Sequence, residues 1–251
     1  NNYELQYTNG TLTVGKATLT ATADDKSRTY GESNPVLTTT YSGFKNGENE
    51  TVLDEQIKIS SATNAFTNAG SYPISLSGGS DGNYALTLVN GTLLINKAEL
   101  KVQADDKVRL YGDQNPPLTF NYAGFRNNDE AKDIDSAPLT TTTAVPTSNT
   151  GKYPITVFGG SDNNYTFVYT DGALTVNKAT LTATADNKSR GYGDNNPELT
   201  ITYAGLKNNE TASVLDTPPL ATTTATTTSN AGTYPITLSE GLDNNYSLTL
   251  N

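Results

Sequence analysis

The chain has 251 residues, with 16 Lys and Arg against 26 Asp and Glu, a formal charge of −10. It holds no His, Cys, Met or Trp, and its aromatic residues are 15 Tyr and 6 Phe. These absences remove the usual groups for catalytic triads, thiolate nucleophiles, zinc or haem sites and disulfides, and the spread negative charge disfavours nucleic acid and anionic membranes as partners.

No apolar run approaches the roughly 18 residues that signal a membrane span, so no membrane insertion is expected. Abundant Thr and Tyr favour strands over helices. Residues 1–15 read as the end of a preceding repeat, because Asn2-Tyr3 and Asn9-Gly10 recur as Asn83-Tyr84 and Asn90-Gly91, 81 residues later. The same step links Lys16, Lys97 and Lys178, and divides the chain into modules 16–96, 97–177 and 178–251. A period of this length suits a self-contained domain better than a solenoid turn of 20–45 residues. The shared phase of start and stop predicts a piece of a longer array.

Within a module the elements follow in order. A first strand alternates Leu19, Ala21 and Ala23 with Thr18, Thr20 and Thr22, matched by Leu100, Val102 and Ala104 and by Leu181, Ala183 and Ala185. That period of two predicts a strand with one buried face. An acidic turn (Asp24-Asp25, Asp105-Asp106), a Tyr-Gly pair (Tyr30, Tyr111 and Tyr192 with their glycines) and an Asn-Pro pair come next. A second strand carries Leu37, Thr39 and Tyr41. The variable segment Lys45 to Asn68 then opens polar, with room for one helical turn near Thr51–Asp54, and in later modules continues as Thr-rich extended chain. A third strand carries Tyr72, Ile74 and Leu76, a fourth Tyr84, Leu86 and Leu88. Asn90-Gly91 signals a turn or bulge before a short fifth strand with Leu93 and Ile95 inward. Inward positions then jump to 98, 100 and 102, so parity flips at Lys97. The economical reading is that the last strand of one module runs straight into the next, without a linker. The alternative is a bulge within one domain.

Ala23-Asp24-Asp25-Lys26, Tyr30-Gly31, Asn34-Pro35, Tyr41-Ser42-Gly43-Phe44, Gly70-Ser71-Tyr72-Pro73-Ile74 and the closing Asn-Tyr…Asn-Gly-Thr-Leu strand together resemble the MBG domain of the Tyr-Gly-X type. The resemblance covers all three modules, except that the third stops at Asn251 before its Gly-Thr-Leu strand. It implies tandem repeats of large bacterial surface or secreted, adhesin-like proteins, with no enzymatic activity. The expected fold is all-β with at most one short helix per module: three tandem β-sandwich or β-grasp-like domains arranged as an elongated rod.

The side chains offer two ligand chemistries. Asp24, Asp25, Asp81, Asp105, Asp106 and Asp162 could supply oxygens to Ca²⁺, although turn-forming Asp chemistry accounts for the same pattern. Tyr30, Tyr111 and Tyr192, beside Gly and Pro turns, could stack on glycans if exposed. Each module carries the same net charge of −3, as a non-sticky spacer requires. The expected role is a non-catalytic stalk or spacer at the bacterial surface, whose partners are neighbouring repeats. The alternatives are a multivalent glycan- or protein-binding module, and a filament in which residues 1–15 complement the third module of another chain, head to tail.

Overall fold

The computed structural model describes residues 2–251; Asn1, the first residue of the leading segment, lies outside the described residues. Residues 2–16 carry no strand, and the first repeat begins with β1 (Ala17–Ala23). It continues through β2 (Lys26–Thr29), β3 (Thr39–Ser42), β4 (Glu55–Ser60), β5 (Gly70–Ser80), β6 (Tyr84–Val89) and β7 (Gly91–Asn96). The second repeat comprises β8 (Ala98–Ala104), β9 (Lys107–Leu110), β10 (Phe120–Ala123), β11 (Leu139–Thr142), β12 (Gly151–Phe158), β13 (Tyr165–Thr170) and β14 (Gly172–Asn177). The third holds β15 (Ala179–Ala185), β16 (Ile201–Ala204), β17 (Leu220–Thr223), β18 (Ile236–Ser239) and β19 (Tyr246–Leu250). The helical turn expected in each variable segment is a single 3₁₀ turn, at Glu50–Val52, Ala131–Asp133 and Ala212–Val214.

Each complete repeat builds two small sheets. In the first they are ordered β3-β1-β6 and β2-β7-β5-β4. The β1–β6 and β2–β7 pairs are parallel, and the others are antiparallel. Parallel pairing requires crossovers, which here are the intervening strands and loops instead of helices. Alternation does not predict β2 or its counterpart β9, four-residue edge strands too short to show a period, whereas β4 does alternate, with Ile57 and Ile59 half-buried between exposed Gln56, Lys58 and Ser60, inside the segment read as variable. In the second repeat Val102 and Ala104 of β8 pack with Ile155 and Val157 of β12 and Leu174 of β14 in one cluster. Side chains from two sheets thus meet face to face, which is a sandwich core. The burial of each Val, Ile or Leu side chain there contributes about 1.5–3 kcal/mol.

The Asn-Gly signal has a different cause from the one expected. Gly91 opens β7 with an ordinary backbone conformation, and a Cβ there would collide with the carbonyl oxygen of Ala23 at the end of β1. At Gly172 the same Cβ would lie 2.7 Å from the carbonyl oxygen of Ala104. Glycine therefore lets two sheets approach, and no left-handed turn is involved. The preceding Asn90 side chain accepts from the Leu76 amide.

By contact the chain divides into two compact units. One contains residues up to Leu100 with Gly124–Asp135 and Ser161–Thr166; the other contains Lys101–Ala123, Ser136–Gly160 and Phe167–Asn251. The division falls inside the second repeat. The first unit therefore holds the first repeat with one end of the second, and the other unit holds the remainder of the second with the third. β7 belongs to a sheet of the first repeat and β8 to a sheet of the second, with Lys97 alone between them. The parity flip at Lys97 is this change of sheet.

Candidate functional site

Within the first unit, two repeats meet at a tyrosine pair. Tyr30 and Tyr111 are each only 5% exposed, so neither offers a ring face to a sugar, and the expectation of exposed stacking rings is corrected for both. β2 and β7 lie in parallel up to Thr29 and Asn96, and the Tyr30 amide then donates to the Asn96 carbonyl. That bond directs the Tyr30 side chain onto the following repeat. There its ring meets Tyr165 edge-to-face, with centroids 5.6 Å apart. Both hydroxyls donate to Asp129 Oδ2, at 3.0 Å from Tyr30 and 2.7 Å from Tyr165.

The glycine after the tyrosine is part of the same device. Gly31 has φ +83°, and a Cβ there would sit 2.6 Å from Arg126 Cβ of the second repeat. Only glycine combines the left-handed backbone with room for that stem. Around this centre the Asn127 amide donates to the Ala65 carbonyl, and Asn164 accepts from the Ala69 amide while donating to the Asn68 side chain. Lys97 donates to the Asp162 carbonyl at 2.7 Å, as Lys16 and Lys178 do to Asp81 and Asp243. The repeated lysine thus anchors the Gly-rich loop of its own module.

The second unit contains the same junction one period later. Tyr111 and Tyr246 meet edge-to-face at 5.5 Å, and both hydroxyls donate to Glu210, at 2.5 and 2.6 Å. Lys207 takes the place of Arg126, packing its stem on Gly112 and pairing with Asp113 at 3.0 Å. Asn245 binds the Thr150 amide and the Asn149 side chain. Tyr111 and Val176 of the second repeat share one core cluster with Ala179, Leu181, Leu215 and Tyr246 of the third. The two repeats are joined by a continuous apolar core as well as by polar contacts.

Electrostatics follow from this burial. Desolvation is the main cause that raises the phenol pKa of Tyr30, Tyr111, Tyr165 and Tyr246 above the ordinary value, and the neighbouring carboxylate adds to it. The tyrosines are therefore held as neutral donors to a carboxylate acceptor.

The aspartates proposed as calcium ligands are dispersed. Asp24 accepts from Thr38 and Thr40, and Asp105 from Thr119 and Asn121, bonds that hold both carboxyls below the usual range. Asp25 and Asp106 accept the Thr92 and Ala173 amides. Asp81 and Asp162 are buried and cap the turns before β6 and β13 through the amides of residues 83–84 and 164–165. Among the described residues no three acidic side chains converge as a metal site would need.

Tyr192, the third member of the Tyr-Gly set, is 73% exposed. The Asn of each Asn-Pro pair ties two loops together. Asn34, Asn115 and Asn196 each accept from an Arg guanidinium (Arg28, Arg109, Arg190) and donate to the carbonyl of residue 63, 144 or 225.

Sequence reasoning found the tyrosines and missed their acceptors. The signal was present. Glu48, Asp129 and Glu210 recur at the same step of 81, always acidic, inside a segment otherwise set aside as variable. Arg126 and Lys207 recur with them.

One family model, the MBG domain (YGX type), matches residues 19–94, 100–175 and 181–251. The chain belongs to that family, as three tandem copies of the domain. No curated protein matches the chain. No helix among the described residues is long and apolar enough to cross a membrane.

Proposed function

We propose that the chain is a non-catalytic spacer of a secreted or cell-surface bacterial adhesin-like protein, holding a distal functional region at a set distance. The observation that carries this reading is the repeated junction. The most distinctive motif of the module, Tyr-Gly, is used twice to bind the next repeat through a carboxylate shared with a second tyrosine. A module that presented a ligand site would keep that aromatic motif open; here it is spent on connection. The absent linker at Lys97 acts in the same direction, since the chain passes from strand to strand with one residue between. Equal charge on each repeat and the lack of thiols suit a domain copied many times side by side.

The test is the spread of distances between neighbouring repeats. Spin labels on outward positions of β1 and β8 should give a narrow distance distribution in the intact chain, and Tyr30→Ser should broaden it without unfolding either repeat. A broad distribution in the unaltered chain, or one indifferent to Tyr30→Ser, would remove the spacer reading. A glycan-array signal that disappears on changing Tyr192 alone would favour the binding alternative.

A further inference from the structure

The first and last segments of the first repeat run side by side along their whole length. Ala17 lies opposite Tyr84 and Thr22 opposite Val89 where β1 pairs with β6, and Lys26 lies opposite Leu93 and Thr29 opposite Asn96 where β2 pairs with β7. Both pairings are parallel and share one offset of 67 residues, so residues 17–29 and 84–96 form a single ribbon in constant register. The same offset joins β9 to β14 and β15 to β19.

The ribbon crosses from one sheet to the other in step. Its two segments change sheets at the same place, between Ala23 and Lys26 on one side and between Val89 and Gly91 on the other. There the Asp25 side chain accepts the Thr92 amide at 2.7 Å, as Asp106 accepts the Ala173 amide in the second repeat. The ends of the ribbon are closed as well. The Ala17 amide donates to the Asn83 carbonyl at 2.9 Å and Lys16 to the Asp81 carbonyl at 2.8 Å, and at the far end the Tyr30 amide donates to the Asn96 carbonyl at 2.8 Å.

The strands that carry the backbone into and out of the repeat are inner ones. β1 lies between β3 and β6, and β7 between β2 and β5. Each is hydrogen-bonded along both sides, and their Leu19, Ala21, Leu93 and Ile95 are all but fully buried. The backbone enters at Lys16, at one end of the ribbon, and leaves through Asn96 at the other, because the paired strands point the same way. Tension along the chain therefore slides the two segments past each other, and the bonds of the parallel ladder share the load instead of opening in turn.

We propose that this ribbon is a force clamp, a mechanical device that keeps the repeat folded when the chain is pulled from end to end. Resistance to forced unfolding is set by the barrier to unfolding and not by the equilibrium stability. Here the direction of pull raises that barrier, so a repeat of ordinary stability in denaturant holds firm under tension along the chain. The side-chain tie from Asp25 to the Thr92 amide sits midway along the ribbon, where the segments change sheets and the ladder would otherwise be interrupted. The proposal rests on the spacer reading only in that a spacer bears tension; the clamp itself stands on strand direction and register.

Single-molecule pulling of the 251-residue chain in two directions tests it. The chain contains no Cys, so introduced cysteines, kept reduced, fix where the handles attach. Thr18, Ala85 and Asn96 are exposed strand positions, so their replacement leaves the core intact. Thr18→Cys with Asn96→Cys puts the handles at opposite ends of the ribbon. Thr18→Cys with Ala85→Cys puts them on register partners at one end, where the bonds open one after another. Both chains should unfold at the same denaturant midpoint, yet at equal loading rate the first should yield only at about twice the force of the second or more. Equal forces, or a stronger Thr18–Ala85 pair, would overturn the clamp while leaving the spin-label distances of the spacer reading as they are. A force difference matched by a difference in denaturant midpoint would overturn it too, since stability and not direction would then be the cause. Conversely, a broad spin-label distribution would remove the spacer reading without altering the ratio of forces.

Discussion

Asp129 is the acceptor that joins the first two repeats, and its replacement by alanine tests that assignment. Two phenol hydroxyls, at 3.0 and 2.7 Å, lose their ionised acceptor. Tyr30 is nearly buried, and so is Tyr165, whose hydroxyl still accepts the Arg126 amide at 2.7 Å but as a donor is left with a long 3.4 Å bond to the Arg126 carbonyl. A hydrogen bond to a charged group is worth about 1.5–3 kcal/mol, giving an upper figure of about 3–6 kcal/mol for the pair. Asp129 is half exposed, so water repays a large part, and the expected loss is about 2 kcal/mol. Denaturant unfolding of the full chain, followed with hydrogen exchange at the Tyr30 amide, measures it. The decisive comparison is a double-mutant cycle with Tyr30→Phe. If the carboxylate and the Tyr30 hydroxyl act together, Tyr30→Phe costs little once Asp129 is gone, and the coupling is about 1 kcal/mol or more. Additive losses, or a loss below about 0.5 kcal/mol for Asp129→Ala, would refute the idea that this carboxylate holds the junction.

Other outcomes follow from the same geometry. Gly31→Ala forces a side chain into φ +83° and against the Arg126 stem, so it should destabilise the junction by about 1–3 kcal/mol while leaving the first repeat folded, as repeat-resolved hydrogen exchange will show. Because the phenol pKa values of Tyr30, Tyr111, Tyr165 and Tyr246 are raised in the fold, their contribution is complete below the unfolded value of about 10 and declines as pH rises above it. Tyrosinate absorbance should therefore lag behind free tyrosine and then appear together with alkaline unfolding. Asp24, Asp105 and Asp186 titrate below the usual carboxylate range because Thr hydroxyls donate to each. Their contribution is present above about pH 4 and lost as pH falls through the lowered values, and Thr38→Val should return Asp24 toward the ordinary value in a carboxyl NMR titration. Leu174→Ala, in the sandwich core of the second repeat, should cost about 2–5 kcal/mol by denaturant unfolding.

How far the sequence reached depends on the range of the interaction involved. Alternation in residues 17–23 and 98–104 located one-sided strands because the period of two is a local property of extended backbone. The step of 81 established three copies of one module without any structure, and the parity flip at Lys97 marked where the chain changes sheet. The edge strand β2 escaped because four residues are too few to show a period, and β4 escaped although Ile57 and Ile59 alternate, because it lies inside the segment read as variable. The parallel pairings of β1 with β6 and β2 with β7 escaped too, because they join residues 67 apart in sequence. Tertiary structure alone decided the fate of the Tyr-Gly pair. Beside a turn, Tyr30 and Tyr192 share the local pattern Lys-Ser-Arg-X-Tyr-Gly with an acidic residue and Asn-Pro after it. The first is buried because the following repeat brings Tyr165 and Asp129 against it, while the second is 73% exposed. Burial of a side chain is set by what packs on it, and for this motif the packing partner lies 99 residues away.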